Sequence, residues 1–502
     1  MDKRKKGVAR LGSRTGMTEP YGNYVDGQWR DSATGETIEV RNPANTDDTV
    51  GEYQWSSADD AAGAVEAAAA AADDWATTAG PERGAILRGA AKRLEDRTEE
   101  VIDVFVREEG KTHAEATAET GRAVNLLYYY AEKAKDFGGR SKQPSGGRDA
   151  IYTEREPMGV AGLVTPWNYP IAIPVWKVAP ALATGNTVAL KPSEMTPNVV
   201  RHVFECLDEA GLPDGVANFV VGSGEEVGDA IVTHEDVDVV SFTGSRAVGE
   251  AIYEQATDDH KRAQTELGSK NPMTVMPSAD IEEAVETVGS GAFGVTGQAC
   301  TSTERVLVHE DVYDEFIEGF LAYTEDIEVG PGLDDPDMGP HVSNEELERT
   351  LEYFETGRSE GATVETGGSR LGDDNGEAYE KGFFLEPTIF TDVEPEMTIM
   401  QEEVFGPFAA VMPISGIDEA ISVANDVEFG LSAGIMTQDL TEANRYAAEV
   451  DFGVIKLNEA TTGLELHVPF GGMNASSSET WREQGDAAID FYTISKTVYE
   501  NY

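Results

Sequence analysis

GVAGLVTPWNYPIAIPVWKVAPALATGNTVALK, residues 159–191, decides the architecture. It opens on a short apolar run, GVAGLVTPW, passes through a helical stretch near 174–184 and closes on a second run, TVALKP. Short apolar runs joined by a helix-patterned segment read as buried parallel strands with a crossover helix. The pattern continues outward. A helical stretch at 198–210 leads to NFVVGSG, and VDVVSFTGS adds a strand ending in a turn. A second set, with RVLVHE, FAAVMPI and SAGIMT, lies between about 270 and 470. Strands alternating with helices predict an α/β protein built on parallel, doubly wound sheet. No repeat of fixed period is present.

Upstream the reading is helical. Residues 58–79 are Ala-rich, 81–110 form a second helix opened by Pro81 and closed by Gly110, and a third covers 114–137. The glycines of 138–148 break the pattern as a linker or hairpin tip. At the far end, IDFYTISKTVYE is rich in β-branched and aromatic residues and predicts a strand.

The chain has 502 residues, which a prior of about 150 residues per domain divides into roughly three units. With 38 basic and 93 acidic side chains, its formal charge is −55. That surface repels nucleic-acid phosphate. Because the acids are scattered through patterned segments, they read as a hydrated surface suited to high salt rather than as an acidic tail. In composition the chain resembles proteins of halophiles that accumulate salt. Cys206 and Cys300 are its only cysteines, which excludes a disulfide framework and fits a reducing, cytoplasmic setting. No apolar run approaches the ~20 residues of a membrane helix. MDKRKK lacks a following apolar region, so it is not a secretion signal. Residues 1–20 are expected to be a disordered extension, and Met17 is an alternative start.

The chemistry concentrates at GSGAFGVTGQAC, residues 289–300, whose four glycines let backbone approach a ligand closely. Cys300 stands just past the last of them, where a stabilised thiolate would be a nucleophile. A lone cysteine is more commonly an inert core thiol, and Cys206, on the helix face of VFECLDEA, is read that way.

Seven motifs together settle which reading applies to Cys300. GQACTSTERV resembles the nucleophile motif of the aldehyde dehydrogenase superfamily, TELGSKNP (265–272) its general-base motif and TPWNYP (165–170) its oxyanion motif. KPSEMTP (191–197), SFTGS (241–245), EEVFGP (402–407) and PFGG (469–472) resemble its remaining signatures, all in family order. The resemblance covers nearly the whole chain. It implies two doubly wound parallel-sheet domains plus a small bridging β-sheet. The nucleotide-binding domain would take 21–137 and 159–268, the catalytic domain 269–470, and the bridging segments 138–158 and 471–502.

The resemblance also implies roles. Cys300 would add to an aldehyde, and Asn168 with the Cys300 N–H would hold the oxyanion. Glu266 would activate water against the thioester, while Lys177 and Glu483 would orient the site or relay protons. Cofactor contacts would fall on Thr165, Pro166, Trp167, Lys191, Ser193, Glu194, Phe242, Gly244, Ser245, Leu267, Gly268, Glu403 and Phe405. The loop GSGEEVG (222–228), with Gly224 and Gly228, loosely resembles a dinucleotide-binding glycine loop. No metal is implied. Two positions depart from the pattern: Ser269 replaces a glycine and Asn474 replaces a lysine. Neither is a catalytic group, so the chemistry is not put in doubt.

LNEATTGLELHVPFGG with PIAIPVWKVAP resembles the 2-oxoglutarate semialdehyde (2,5-dioxopentanoate) branch, which ends pentose and sugar-acid degradation. Trp176 stands where succinate-semialdehyde enzymes often carry arginine. The anchor for a substrate carboxylate is not visible in the sequence. The cofactor is NADP or NAD, with a lean to NADP, and a homodimer or homotetramer is expected. Two other classes compete: an acylating enzyme that passes the acyl group to coenzyme A, and a non-catalytic binding protein on this fold.

Overall fold

A computed structural model describes residues 19–372 and 375–502. The expected extension and the alternative start at Met17 lie almost wholly outside the described residues. Two seven-stranded sheets carry the architecture. The first runs in the order Arg262–Glu266, Val239–Thr243, Val160–Val164, Thr187–Lys191, Ala217–Phe219, Asn23–Val25 and Gln28–Arg30. Its first five strands are parallel and the last two join antiparallel. The second sheet centres on Thr303–His309, flanked by Phe408–Ile414 and Asn271–Val275, and is parallel except for the edge strand Thr363–Thr366. Every residue of Val160–Val164, Thr187–Lys191 and Val239–Thr243 is buried, which is why they read as unbroken apolar runs rather than alternating ones.

The crossover helix Ala172–Thr184 is buried along its whole length. Its N-terminus is satisfied by Glu119, whose carboxylate accepts the N–H groups of Ile171 and Ala172 at 3.1 and 3.0 Å. Glu266 ends the last strand of the first sheet and Asn271 opens a strand of the second. The intervening LGSK is therefore the crossing between the two sheets.

A third sheet pairs Ala150–Pro157 with Ser141–Lys142 and, antiparallel, with Thr493–Glu500. The glycine-broken stretch at 138–148 is thus the end of a hairpin. The expected bridging sheet is present, but it uses only the end of 471–502, because Gly472 and Glu483 contact the residues around Glu266 and Lys177. Two local expectations are corrected. The segment 81–110 is two helices, Gly80–Asp96 and Thr98–Glu109. Arg97 leaves helical geometry between them, its guanidinium paired with Glu209 at 2.5 Å on the neighbouring helix. No glycine or proline marks that break, so it could not be read locally. IDFYTISKTVYE begins as the end of helix Gly485–Phe491, and its strand starts only at Thr493.

Basic residues are too few to neutralise the acids of a chain with a net charge of −55. Moving the protein from molar KCl to low ionic strength is expected to lower its Tm by ~10 °C or more, because salt screens the self-repulsion. A salt titration followed by circular dichroism checks this. An unchanged Tm, without added divalent ions or ligand, would show that the acidic surface is tolerated unscreened.

Candidate active site

Helix Ile281–Phe293 ends in a strained loop. Val295, Thr296 and Gly297 take left-handed φ values of 54°, 57° and 66° in succession. A β-branched residue rarely adopts that region, so the loop must be held from outside. Val295 N–H donates to Glu115 at 2.6 Å, the Thr296 hydroxyl to the Gly339 carbonyl at 3.1 Å, and Val342 N–H to the Gln298 side chain at 3.0 Å. Asn271 donates to the carbonyls of Cys300 and Ser302, both at 2.8 Å. At Gly297 a Cβ would stand 1.9 Å from the Gly406 carbonyl oxygen, so only glycine fits. Cys300 is thereby fixed, half-buried, with its own N–H against the sulfur. Burial raises its pKa, and the carboxylates of Glu403, Glu266 and Glu483 push it the same way, so the resting group is a thiol.

Glu266 is buried. One carboxylate oxygen accepts Gly472 N–H at 2.9 Å, and the other accepts the Gln264 amide at 3.1 Å. Burial and nearby Glu483 push its pKa up to about 8. At Gly471 a Cβ would stand 2.6 Å from the Glu266 carboxylate and displace it, so a larger residue there would disturb Glu266. Behind this carboxylate runs an oriented chain. Lys177, ion-paired with Glu483, donates to Ser241 at 2.6 Å, Ser241 donates to Gln264 at 2.7 Å, and Gln264 donates to Glu266. An amide is a poor proton carrier, so the link through Gln264 holds and polarises Glu266 rather than passing protons to it.

Two cavities meet at Cys300. The first, about 120 Å³, is lined by Pro166, Trp167, Asn168, Gly244, Ser245, Leu267, Gly268, Glu403 and Phe405 together with Cys300. Many of these follow the C-terminal ends of parallel strands, where open α/β sheets place ligands. Ser245 precedes helix Arg246–Asp258, and neither a side-chain cap nor an acidic residue occupies its first turn. That leaves N–H groups for a phosphate. A Cβ at Gly268 would fall 2.4 Å from Glu403, whose carboxylate accepts Ser269 N–H at 2.8 Å and whose pKa burial pushes up to about 8. Phe405, at φ 57°, stands edge-on to Trp167 with ring centres 5.6 Å apart. The lining fits a dinucleotide: free helix N–H groups, a glycine cradle, a carboxylate acceptor and an aromatic wall.

The second cavity, about 360 Å³, is lined by Tyr169, Ile173, Trp176, Leu464 and Phe470, with Glu266, Lys111, Glu115, Glu119 and Arg122 among its polar members. Asn168 sits beside Cys300, its amide donating to the Gln298 carbonyl at 2.9 Å.

The structure therefore brings together Cys300, Glu266, Asn168 and most of the cofactor residues read from sequence. Lys177 and Glu483 stand behind Glu266 rather than on either cavity wall. Thr165 is buried and donates its N–H to the Lys191 carbonyl at 3.1 Å. Lys191 pairs with Glu194 at 2.8 Å, and the Ser193 hydroxyl accepts Met195 N–H at 3.2 Å. The Phe242 ring packs beneath Gly244, leaving no room for a Cβ there. Gly224 and Gly228 lie in the turn Gly224–Gly228, line neither cavity, and have open space where a Cβ would stand. Sequence reasoning missed Ser241, Gln264, Glu346, Arg349 and Glu304. The last accepts the N–H groups of Val404 and Phe405 and so places Glu403. Ser241 and Gln264 belonged to quoted or neighbouring strands, but only the parallel pairing Ser241↔Gln264 makes them partners.

A thiol between two cavities, one of them fit for a dinucleotide, with a buried carboxylate beside it, is the arrangement an aldehyde-oxidising site needs. The chain belongs to the aldehyde dehydrogenase family, whose model matches residues 29–498. It is 57% identical over 486 residues to the alpha-ketoglutarate semialdehyde dehydrogenase of Haloferax volcanii, covering 97% of this chain and 100% of that one. It is 42% identical to the 2,5-dioxopentanoate dehydrogenase of Saccharolobus solfataricus, covering 95% and 98% of the two chains. Among solved structures it is similar to betaine aldehyde dehydrogenase from Staphylococcus aureus in complex with NAD+, with TM-score 0.92, 34% identity and coverage of 96% and 94%.

Proposed function

We propose that this enzyme oxidises 2-oxoglutarate semialdehyde to 2-oxoglutarate with NADP or NAD. The observation that carries the reading is Cys300 at the junction of the two cavities, with Glu266 buried beside them. The names of the relatives at 57% and 42% identity support the substrate.

Cys300, once deprotonated, forms a C–S bond to the aldehyde carbon, and the carbonyl electron pair moves onto oxygen. The second N–H of the Asn168 amide and the Cys300 N–H are the donors for that oxyanion. When bound, the nicotinamide supplies the acceptor for the hydride that leaves this carbon, and a Cys300 thioester remains. Glu266 takes a proton from water, the hydroxyl adds to the thioester carbon, and the C–S bond breaks to return the thiolate and release the carboxylate.

As a base, Glu266 must be ionised. With its pKa near 8, it is mostly protonated below that pH. Where hydrolysis limits turnover, kcat is expected to fall below about pH 8, and a rate flat from pH 6 to 9 would remove Glu266 from this role. Glu266 also speaks against acyl transfer to coenzyme A. Assaying an aldehyde panel with both cofactors, with and without coenzyme A, in molar salt tests the whole reading. Tenfold or greater preference for a simple aliphatic, aromatic or betaine aldehyde, about 1.4 kcal/mol in transition-state binding, would overturn the substrate.

Cofactor choice rests on the Lys191–Glu194 pair. Glu194 accepts from a ribose 2′-hydroxyl and favours NAD, whereas Lys191 pairs with a 2′-phosphate. Glu194 is partly exposed and able to swing out, so NADP is favoured with NAD accepted. Glu194→Gln is expected to raise the NADP to NAD ratio of kcat/KM by ~10-fold, the worth of one removed repulsive charge. An unchanged ratio would move the choice elsewhere. For the quaternary state, the bridging sheet ends on the exposed edge strand Thr493–Glu500, with Ile494 and Tyr499 open to solvent. Such an edge invites a second subunit, which supports a homodimer or a tetramer of dimers.

A further inference from the structure

The second cavity holds a cation that forms no ion pair among the described residues. Lys111 is spoken for: its ammonium pairs with Glu119 at 2.6 Å, donates to the Asn168 carbonyl, and lies 4.0 Å from the Tyr169 ring centre. Glu115 is equally committed, accepting the N–H groups of Val295 at 2.6 Å and Thr112 at 2.9 Å. Arg122, on helix His113–Lys133, differs. It donates to the Leu464 carbonyl and to the Gln484 side chain, the latter at 2.7 Å. Both acceptors are neutral, and among the described residues no carboxylate forms an ion pair with it. A guanidinium has five N–H donors, so several remain unused. Arg482, also half-buried and without an ion pair among the described residues, donates to the Gly472 carbonyl near Glu266 but lines neither cavity, and the fully buried arginines without an acid are saturated by backbone. Arg83 and Arg305 each donate to three or more carbonyls, and neither lines a cavity at Cys300.

In a chain with 93 acidic and 38 basic residues, leaving a half-buried arginine without an acid is conspicuous. Burial works against its charge. Glu119 and Glu465 offset part of this from a distance, neither of them in an ion pair with it, and a guanidinium fork matches a bound carboxylate in two-point geometry. The neutral grip of Leu464 and Gln484 holds the fork without spending its charge. Arg122 and Cys300 line the same cavity, whose walls include Tyr169, Ile173, Trp176 and Phe470, suited to a short methylene chain.

We propose that Arg122 anchors the carboxylate of the substrate while the aldehyde lies at Cys300, an inference that rests on the semialdehyde reading above. The test compares wild type, Arg122→Gln and Arg122→Lys on 2-oxoglutarate semialdehyde and on pentanal, a neutral aldehyde of the same carbon count. Arg122→Gln is expected to raise KM for the semialdehyde by ~30-fold or more, the range for losing a charged hydrogen-bonded contact, with kcat and the pentanal kcat/KM within about 3-fold of wild type. Arg122→Lys should recover part of the loss, since an ammonium restores the charge but not the fork. Molar salt leaves the effect readable, because a buried pair is screened little. Parallel losses on both aldehydes would make Arg122 structural and overturn the proposal, as would an unchanged semialdehyde KM. If wild type prefers another carboxylated aldehyde, the substrate assignment falls, and the same comparison on that aldehyde decides the role of Arg122. If wild type prefers no carboxylated aldehyde to pentanal, both fall.

Discussion

Replacing Cys300 with alanine is expected to lower aldehyde oxidation by about 10⁴-fold or more while leaving cofactor affinity within a few-fold of wild type. The loss is large because no other group can take over. The second cysteine, Cys206, is buried in helix Pro197–Glu209, remote in role and with its pKa pushed up to about 12 by burial. Binding should survive because the cavity proposed for the cofactor is lined by Trp167, Gly244, Ser245, Gly268 and Glu403, which the substitution does not touch. The strained turn at Val295 and Thr296 is held by Glu115 and Gly339 rather than by the sulfur, so the loop should keep its shape. NAD(P)H formation at 340 nm reads the activity and quenching of tryptophan fluorescence reads the binding. Steady turnover by the alanine variant would remove covalent catalysis from the scheme.

Much of this site was legible because parallel strands write themselves as apolar runs with function at their C-terminal ends. TVALKP and VVSFTGS each display a buried strand and then the residues it delivers to the crevice, whereas the polar strand Arg262–Glu266 was marked only by the motif TELGSKNP. The glycines of 289–300 carried a similar signal, since Gly297 is fixed by a backbone approach that any Cβ would block. What stayed hidden depends on tertiary pairing. Gln264 and Ser241 become a hydrogen-bonded link to Glu266 only once their strands lie side by side. Arg122 is one arginine on an ordinary-looking helix, and its significance lies in lacking an acid partner, which no local pattern encodes. The helix break at Arg97 and the late start of the final strand belong to the same class. Both are set by neighbouring elements rather than by glycine or proline. The loop at Gly224 and Gly228 is the reverse case: a pattern visible in sequence whose glycines no packing contact requires.

Glu266→Gln is the sharper test of mechanism because it should separate the two halves of the reaction. The amide keeps the size of the carboxylate and still offers an oxygen to Gly472 N–H, so the crossing between the sheets should stay folded. It cannot, however, accept a proton from water. Addition of Cys300 and hydride loss should proceed once, giving a burst close to one NAD(P)H per active site, and the thioester should then persist. Steady turnover is expected to fall by ~10³-fold, within the range for a removed general base. The fall in kcat below about pH 8 should disappear with it, since the group pushed up to about 8 is gone. Intact-mass measurement after the burst should find the acyl group on the protein, and its removal by hydroxylamine would identify a thioester. A slow linear rate with no burst would place the need for Glu266 before hydride transfer, most simply in deprotonating Cys300, whose thiol form the surrounding carboxylates favour. A variant as fast as wild type would mean that the water is activated elsewhere, leaving the chain from Lys177 to Glu266 to be explained by stability alone.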